Sequence, residues 1–305
     1  MKAMIIDVGS NTVKYDIFKS DGQSFEGIGR DSTVLGFISY IDKNGIPSKE
    51  GVDKLCEILS GYLEKAKAEG CHKVLAFATA SLRRCADPFE VIQTVREKTG
   101  LSIELFSGGM EAEMSLQGVL VRHPESLSGI MADMGGGSTE LNFYKNKKSI
   151  YLVSNPFGAL SLKNEFVKDK GGALGGYADE KELRDIYSYA KGVVASLDLP
   201  SGAGEDMFIV GGSARAIGAL VGDLFGNCEE FTLQELKGLA GEYSKMSEGK
   251  AELLKALTPQ REYLVIPAVC AFIAIAEVLG IKKIKVASGG IREGYMSRAV
   301  MGEEF

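Results

Sequence analysis

Two stretches of this sequence carry the same arrangement of acid, glycine and hydroxyl residues. In one, the apolar run Ala3-Met4-Ile5-Ile6 leads into Asp7-Val8-Gly9-Ser10-Asn11-Thr12. In the other, Gly129-Ile130-Met131-Ala132 leads into Asp133-Met134-Gly135-Gly136-Gly137-Ser138-Thr139-Glu140. Glycines let the backbone approach an anion closely, and successive N–H groups with Ser/Thr hydroxyls can then grip phosphate oxygens. An Asp at the strand end is placed to hold a hydrated divalent cation that bridges to those oxygens. One such loop alone reads as an ordinary hairpin turn whose Asp caps the backbone. Two loops with matching Asp and Gly positions point to a duplicated unit that clamps a phosphate chain.

The elements that must position these loops follow from hydrophobic periodicity. Alternating apolar residues predict strands over 3–8, 12–19 and 24–30, a helix over 48–68 stopped by Gly70, and a strand over 73–78. Asp87-Pro88 opens a helix ending at Gly100, with Pro at the first helical position; a strand over 101–106 and a helix over 110–121 follow. The scheme then restarts with strands over 129–134, 138–145 and 148–154. Helices are expected over 179–198, 213–222, 232–246 and 262–279, short strands over 207–210 and 284–287, and a last helix over 291–300. A strand triplet followed by alternating helix and strand, written twice, implies an α/β protein of two duplicated domains with a cleft between them. The domains are expected at 1–122 and 123–305, with a hinge near Gln117–Ser128 and the C-terminal helix of about 291–305 packing back on the first domain.

Composition narrows the chemistry. The 305 residues suffice for two modest domains, and 45% hydrophobic with 25% charged residues is ordinary for a soluble chain. Leu264 to Leu279 is too short to span a membrane and carries Glu277, and the chain enters a strand at once, so neither a membrane partner nor a secretory signal is expected. A net charge of −6 argues against nucleic acid as a partner. The five cysteines form no C-x-x-C or disulfide-like framework, which fits a reducing, cytoplasmic location. Only His72 and His123 are available, so zinc hydrolysis and a Ser-His-Asp triad are disfavoured and acid–base work falls to carboxylates.

Eight motifs in order give the chain a resemblance to the exopolyphosphatase/guanosine pentaphosphatase (Ppx/GppA) family, within the actin–sugar kinase–Hsp70 superfamily. They are Asp7–Thr12, Ala78-Thr79-Ala80-Ser81-Leu82-Arg83, Ser107-Gly108-Gly109-Met110-Glu111-Ala112, Asp133–Glu140, Pro156-Phe157-Gly158-Ala159, Gly211-Gly212-Ser213-Ala214-Arg215, Arg261 with Ile266-Pro267-Ala268, and Ser288–Gly294. The resemblance implies two ribonuclease H-like (actin-like ATPase) domains and hydrolysis of a terminal phosphoanhydride of polyphosphate or of the guanosine polyphosphate pppGpp. Carried over by position, Gly9, Ser10, Asn11, Thr12, Gly135, Gly136, Gly137, Ser138 and Thr139 would hold phosphates. Gly211, Gly212 and Ser213 of a later strand-to-helix turn would join them, with Arg83 neutralising charge. Asp7, Asp133 and Glu140 would place Mg²⁺, with Mn²⁺ as the alternative, and Glu111 would be the general base. Glu113, two residues on, would point to another helix face. The family's tendency to pair implies a homodimer.

The sequence also departs from the family's pattern. Met110 stands where the family has the first Glu of a Glu-Glu pair, and two usual arginines are replaced, at Val34 and at Ser161. Fewer cations near the phosphates should weaken a long polyanion more than a short nucleotide. Two other readings stay open at this point: a small-molecule kinase on the same scaffold, and a non-catalytic sensor of polyphosphate or guanosine polyphosphates. Arg292-Glu293 reads as a surface pair.

Overall fold

The computed structural model describes residues 1–200 and 206–301, which divide into two compact units. The first runs from Met1 to Val121 and takes in the helix Ile291–Met301; the second is Arg122–Gly290. The continuation of that helix expected toward residue 305 lies outside the described residues.

The first unit opens with β1 (Lys2–Val8), β2 (Thr12–Ser20) and β3 (Phe25–Val34), followed by α1 (Lys49–Ala68), β4 (Lys73–Ala78) and the short α2 (Ala80–Arg83). Then come α3 (Pro88–Thr99), β5 (Ile103–Leu105) and α4 (Gly108–Arg122). Its sheet has the order β3-β2-β1-β4-β5, with β1 to β3 an antiparallel meander and β4 and β5 parallel to β1. Ala3 to Ile6 are all buried, as the central strand of a sheet covered on both faces requires. The helix ends obey local chemistry. Ser48 accepts from the Gly51 N–H at 3.2 Å to start α1, and Asp87 accepts from Phe89 N at 2.9 Å ahead of Pro88 to start α3. Gly100 closes α3 with φ 75°, a left-handed conformation that favours glycine.

The second unit repeats the plan with β6 (Ser128–Met134), β7 (Thr139–Lys145), β8 (Lys148–Asn155), α5 (Ala159–Phe166), α6 (Glu180–Ala195), β9 (Asp206–Val210) and α7 (Gly211–Phe225). It continues with β10 (Glu230–Thr232), α8 (Leu233–Glu242), α9 (Glu248–Leu257), α10 (Val265–Leu279) and β11 (Lys283–Val286). The sheet order is β10-β11-β9-β6-β7-β8, again an antiparallel meander with parallel strands beside its first member. The apolar stripe of α10 is buried core, packed on α5, α6, α7 and α8. Among the described residues no helix is long and apolar enough to cross a membrane.

The strands of both meanders and the parallel strands beside them fall where periodicity predicts them, but the sequence reading has no α2, no α5, no α9 and no β10. It also extends α8 to residue 246, whereas the helix stops at Glu242 and a new one is capped by Ser247, which accepts from Lys250 N at 3.4 Å.

Candidate active site

The predicted site residues lie about the C-terminal ends of the parallel strands, with Thr12, Thr139 and Glu140 opening the antiparallel strands that follow. This is the edge of an α/β sheet where strand ends and helix N-termini leave room and N–H donors for ligands. Asp7 ends β1, the Arg83 turn follows β4, and Glu111 follows β5. In the second unit Asp133 ends β6 and Gly211 follows β9.

The two loops use one backbone device. Gly9 N–H donates to Thr12 O at 3.1 Å, and Gly135 N–H donates to Ser138 O at 2.9 Å. Each loop also spends carbonyls on the segment after the third strand of its meander. Ser10 O accepts from Ile38 N, and Asn11 O from Leu35 N and Gly36 N, at 2.8 to 3.2 Å. Gly135 O accepts from Ala159 N, and Gly136 O from Leu160 N and Ser161 N, at 2.9 to 3.0 Å. With these carbonyls occupied, what the loops have left for an anion is N–H groups and hydroxyls. Gly158 makes the second arrangement possible, since a Cβ there would lie 2.6 Å from Gly135 O and 2.7 Å from Gly137 N. Thr139 serves the same support. It is fully buried and donates its hydroxyl to Phe157 O at 2.7 Å, so its side chain braces the support and its part in phosphate binding falls to the backbone. Val34 and Ser161, the replaced arginine positions, sit on the two supports. Ser161 Oγ accepts from Gly158 N at 2.8 Å, and Val34 is exposed.

In the first unit Glu111 stands in the first turn of α4, its N–H bonded to Ser107 O at 2.9 Å and the Ser107 hydroxyl accepting from Met110 N at 3.2 Å. Its Oε2 accepts from Arg83 Nη2 at 2.8 Å, and Arg83 Nη1 donates to Phe106 O at 2.8 Å. The short α2 is pinned by Ser81, whose buried hydroxyl donates to Val8 O at 2.5 Å. Arg83 therefore fixes one carboxylate oxygen of Glu111. Glu113 points elsewhere and accepts from Gln117 Nε2 at 3.1 Å.

Asp7 has a partner the sequence reading missed. Arg292 Nη1 lies 3.3 Å from Asp7 Oδ2, while Nε donates to Asp16 Oδ2 at 2.6 Å. All three side chains are at most 17% exposed, so the surface pair expected at Arg292-Glu293 is corrected: Arg292 is buried among acids. The signal lay 285 residues away from Asp7, beyond any local pattern.

In the second unit Asp133 and Glu140 face each other as cross-strand neighbours of β6 and β7. Burial, then the Asp133 charge, push the Glu140 carboxyl above its ordinary range, against hydrogen bonds from Ser138 and from Ser154 Oγ at 2.8 Å. Among the described residues no three His, Cys, Asp or Glu side chains form a metal cluster. Two converging acids, one of them electrostatically unsatisfied, fit a divalent cation that keeps water and phosphate oxygens as its other ligands. Gly211, at φ 99°, closes on the same place, since a Cβ there would lie 3.2 Å from Asp133 Oδ1. Ser213 is buried, and its Oγ has no partner among the described residues. Gly212 lies beneath the Arg261 guanidinium with no room for a side chain. Burial and the nearby Arg215 charge pull Arg261 below its ordinary range, which marks a position that favours an anion. Arg261 belongs to a quoted motif, but its role follows only from the fold.

A duplicated α/β unit, each copy ending its first strand in an acidic glycine loop, defines a phosphate-handling enzyme scaffold. Comparison with known proteins identifies which one. The sequence matches the Ppx/GppA phosphatase family over residues 16–302, so the chain belongs to that family, whose members are phosphoanhydride hydrolases. It is 24% identical over 307 residues to exopolyphosphatase 1 of Mycobacterium leprae, covering 99% of this chain and 91% of that protein. It is 26% identical to the guanosine-5'-triphosphate,3'-diphosphate pyrophosphatase of Pseudoalteromonas translucida, covering 96% of this chain and 58% of that one. The Aquifex aeolicus Ppx/GppA crystal structure superposes with a TM-score of 0.85 at 20% identity, covering 100% of this chain and 99% of that one. The Cytophaga hutchinsonii exopolyphosphatase structure gives 0.81 at 17%, covering 100% and 99%. The fold is accordingly the actin-like two-domain α/β fold.

Proposed function

We propose that the protein removes the terminal phosphate of inorganic polyphosphate or of pppGpp, with a divalent cation and with Glu111 as general base. The observation that carries this reading is the Asp133–Glu140 pair beside a glycine loop whose carbonyls are turned into α5. Mg²⁺ held by these acids, with Mn²⁺ as a substitute, would neutralise charge on the phosphoryl oxygens. In the second unit the loop's remaining N–H groups and the Arg261 guanidinium would hold phosphate oxygens, and the first unit's loop has the same N–H groups to offer. Glu111, with Oε2 bonded to Arg83, would orient a water through its carboxylate and take its proton as the phosphorus is attacked. Asp7, half engaged by Arg292, acts through water.

A second reading has its own support. Val34, Ser161 and Met110 replace the family's charged residues, which favours a sensor that binds without turnover. Phosphate release from short polyphosphate, long polyphosphate and pppGpp, measured with Mg²⁺ for the wild type and Glu111→Gln, separates the two. The hydrolase reading expects the variant to lose about 10²–10⁴-fold in release while binding is kept. Binding without release by the wild type would establish the sensor, and full activity in the variant would remove Glu111 as the base.

A further inference from the structure

The first loop has an internal counter-ion. Arg292 reaches from the first turn of the C-terminal helix to two acids on adjacent strands, Asp7 of β1 and Asp16 of β2. Asp16 is 7% exposed, and its placement opposite Ile5 puts it on an interior strand where an unpaired carboxylate would be costly. The guanidinium is held in register by its own helix. Gly294 packs against the Met114 carbonyl of α4 with no space for a side chain, Met296 is fully buried, and Tyr295 donates to Glu104 Oε2 at 2.7 Å. The Tyr295 ring also packs edge-on against Phe77 and Phe106 at 5.4 and 5.2 Å.

We infer that Arg292 is a positioning residue that makes Asp7 an acceptor for water and withdraws it from direct cation binding. The inference rests on the functional reading above and assigns the division of labour within it. The pairing takes Oδ2 of Asp7 and leaves Oδ1, on the Gly9 side, as the oxygen the loop can use. The guanidinium, with Lys14 cross-strand from Asp7, offsets the two carboxylates and leaves the group little net charge to draw a cation. Asp16 divides the guanidinium, so Asp7 is held by one N–H and keeps a lone pair open. A lysine could neutralise the charge but could not span both acids with two donors of fixed geometry.

The test compares Arg292→Lys, Arg292→Met and Asp16→Asn. Mn²⁺ affinity is read by electron paramagnetic resonance without substrate, and kcat and KM are measured on tripolyphosphate. Release of both acids in Arg292→Met should tighten Mn²⁺ binding by about 3- to 10-fold while kcat falls about 10²-fold at nearly constant KM. Arg292→Lys should leave Mn²⁺ affinity near wild type with kcat down about tenfold. In Asp16→Asn the whole guanidinium turns to Asp7, so kcat should fall with no gain in Mn²⁺ affinity. If Arg292→Met does not fold, the Lys and Asn variants still decide the matter. Kinetics and Mn²⁺ affinity within twofold of wild type in either would overturn the inference. A wild type that releases no phosphate would instead overturn the functional reading, and the Mn²⁺ measurements would then still show whether Arg292 masks Asp7.

Discussion

The loops after β1 and β6 share a backbone and differ in charge. Each has an Asp, a glycine two residues on, an N–H to carbonyl bond across the turn, and carbonyls spent on a support. Seven residues past the Asp, however, the first loop has Lys14 as its cross-strand neighbour and the second has Glu140. The first Asp is met by Arg292, while the second raises the pKa of its acidic neighbour. A duplicated scaffold has thus kept its geometry and divided its electrostatics. One copy pairs its acid with an arginine, and the other sets two acids against each other, the pair proposed above to hold the divalent ion.

The difference can be broken most sharply at Glu140. Glu140→Gln should cost about 10²–10³-fold in cation-dependent phosphate release and abolish the thermal shift on adding Mg²⁺. Asp7→Asn should leave that thermal shift largely in place; equal loss of Mg²⁺ stabilisation in both would erase the distinction between the loops. The sign of the pH effect is also set. Because Glu140 is raised in the fold, the native state binds more protons than the unfolded one between the ordinary and the raised values. Cation-free stability therefore falls as pH rises through that window, and Glu140→Gln should melt higher than wild type at neutral pH without Mg²⁺. A lower melting temperature would contradict the strain assigned to the acid pair.

Gly158→Ala tests the support of the second loop alone. The added methyl meets Gly135 O and Gly137 N, so the loop must shift, with a cost of about 1–3 kcal/mol in denaturant unfolding and a raised KM. The smallest effect is expected at the two arginine positions. Val34→Arg and Ser161→Arg should each lower KM for long polyphosphate by about 2- to 5-fold in low salt and little in high salt. No change in either would mean that these supports do not face the bound chain.

The strands and both loops were legible because their information is local, in apolar alternation ended by Asp and Gly. The α3 helix was equally readable, since Asp87, Pro88 and Gly100 punctuate it. By contrast α5 was missed, because Pro156-Phe157-Gly158 reads as a turn and the helix N-terminus is held by Gly135 and Gly136 carbonyls. The amphipathic run Glu248–Leu257 with Ser247 as its cap was readable but was left unassigned between two predicted helices. At the site, the sequence named the acids without their partners. Arg292 on Asp7 and Arg261 over Gly212 are tertiary pairings that no spacing rule contains. That the Thr139 hydroxyl turns onto Phe157 O was not legible, because a hydroxyl in a glycine loop looks the same whether it faces a ligand or the core.

The reach of Arg292 also has a meaning in time. During synthesis the guanidinium that meets Asp7 leaves the ribosome 285 residues after it. Until then the first unit holds Asp7 and Asp16 without that guanidinium and lacks the helix whose Tyr295 packs on Phe77 and Phe106. Its sheet can form from local pairing, but the Asp7–Asp16–Arg292 group closes only when residue 292 has docked. An acid made early in the first unit is thus among the last to receive its partner.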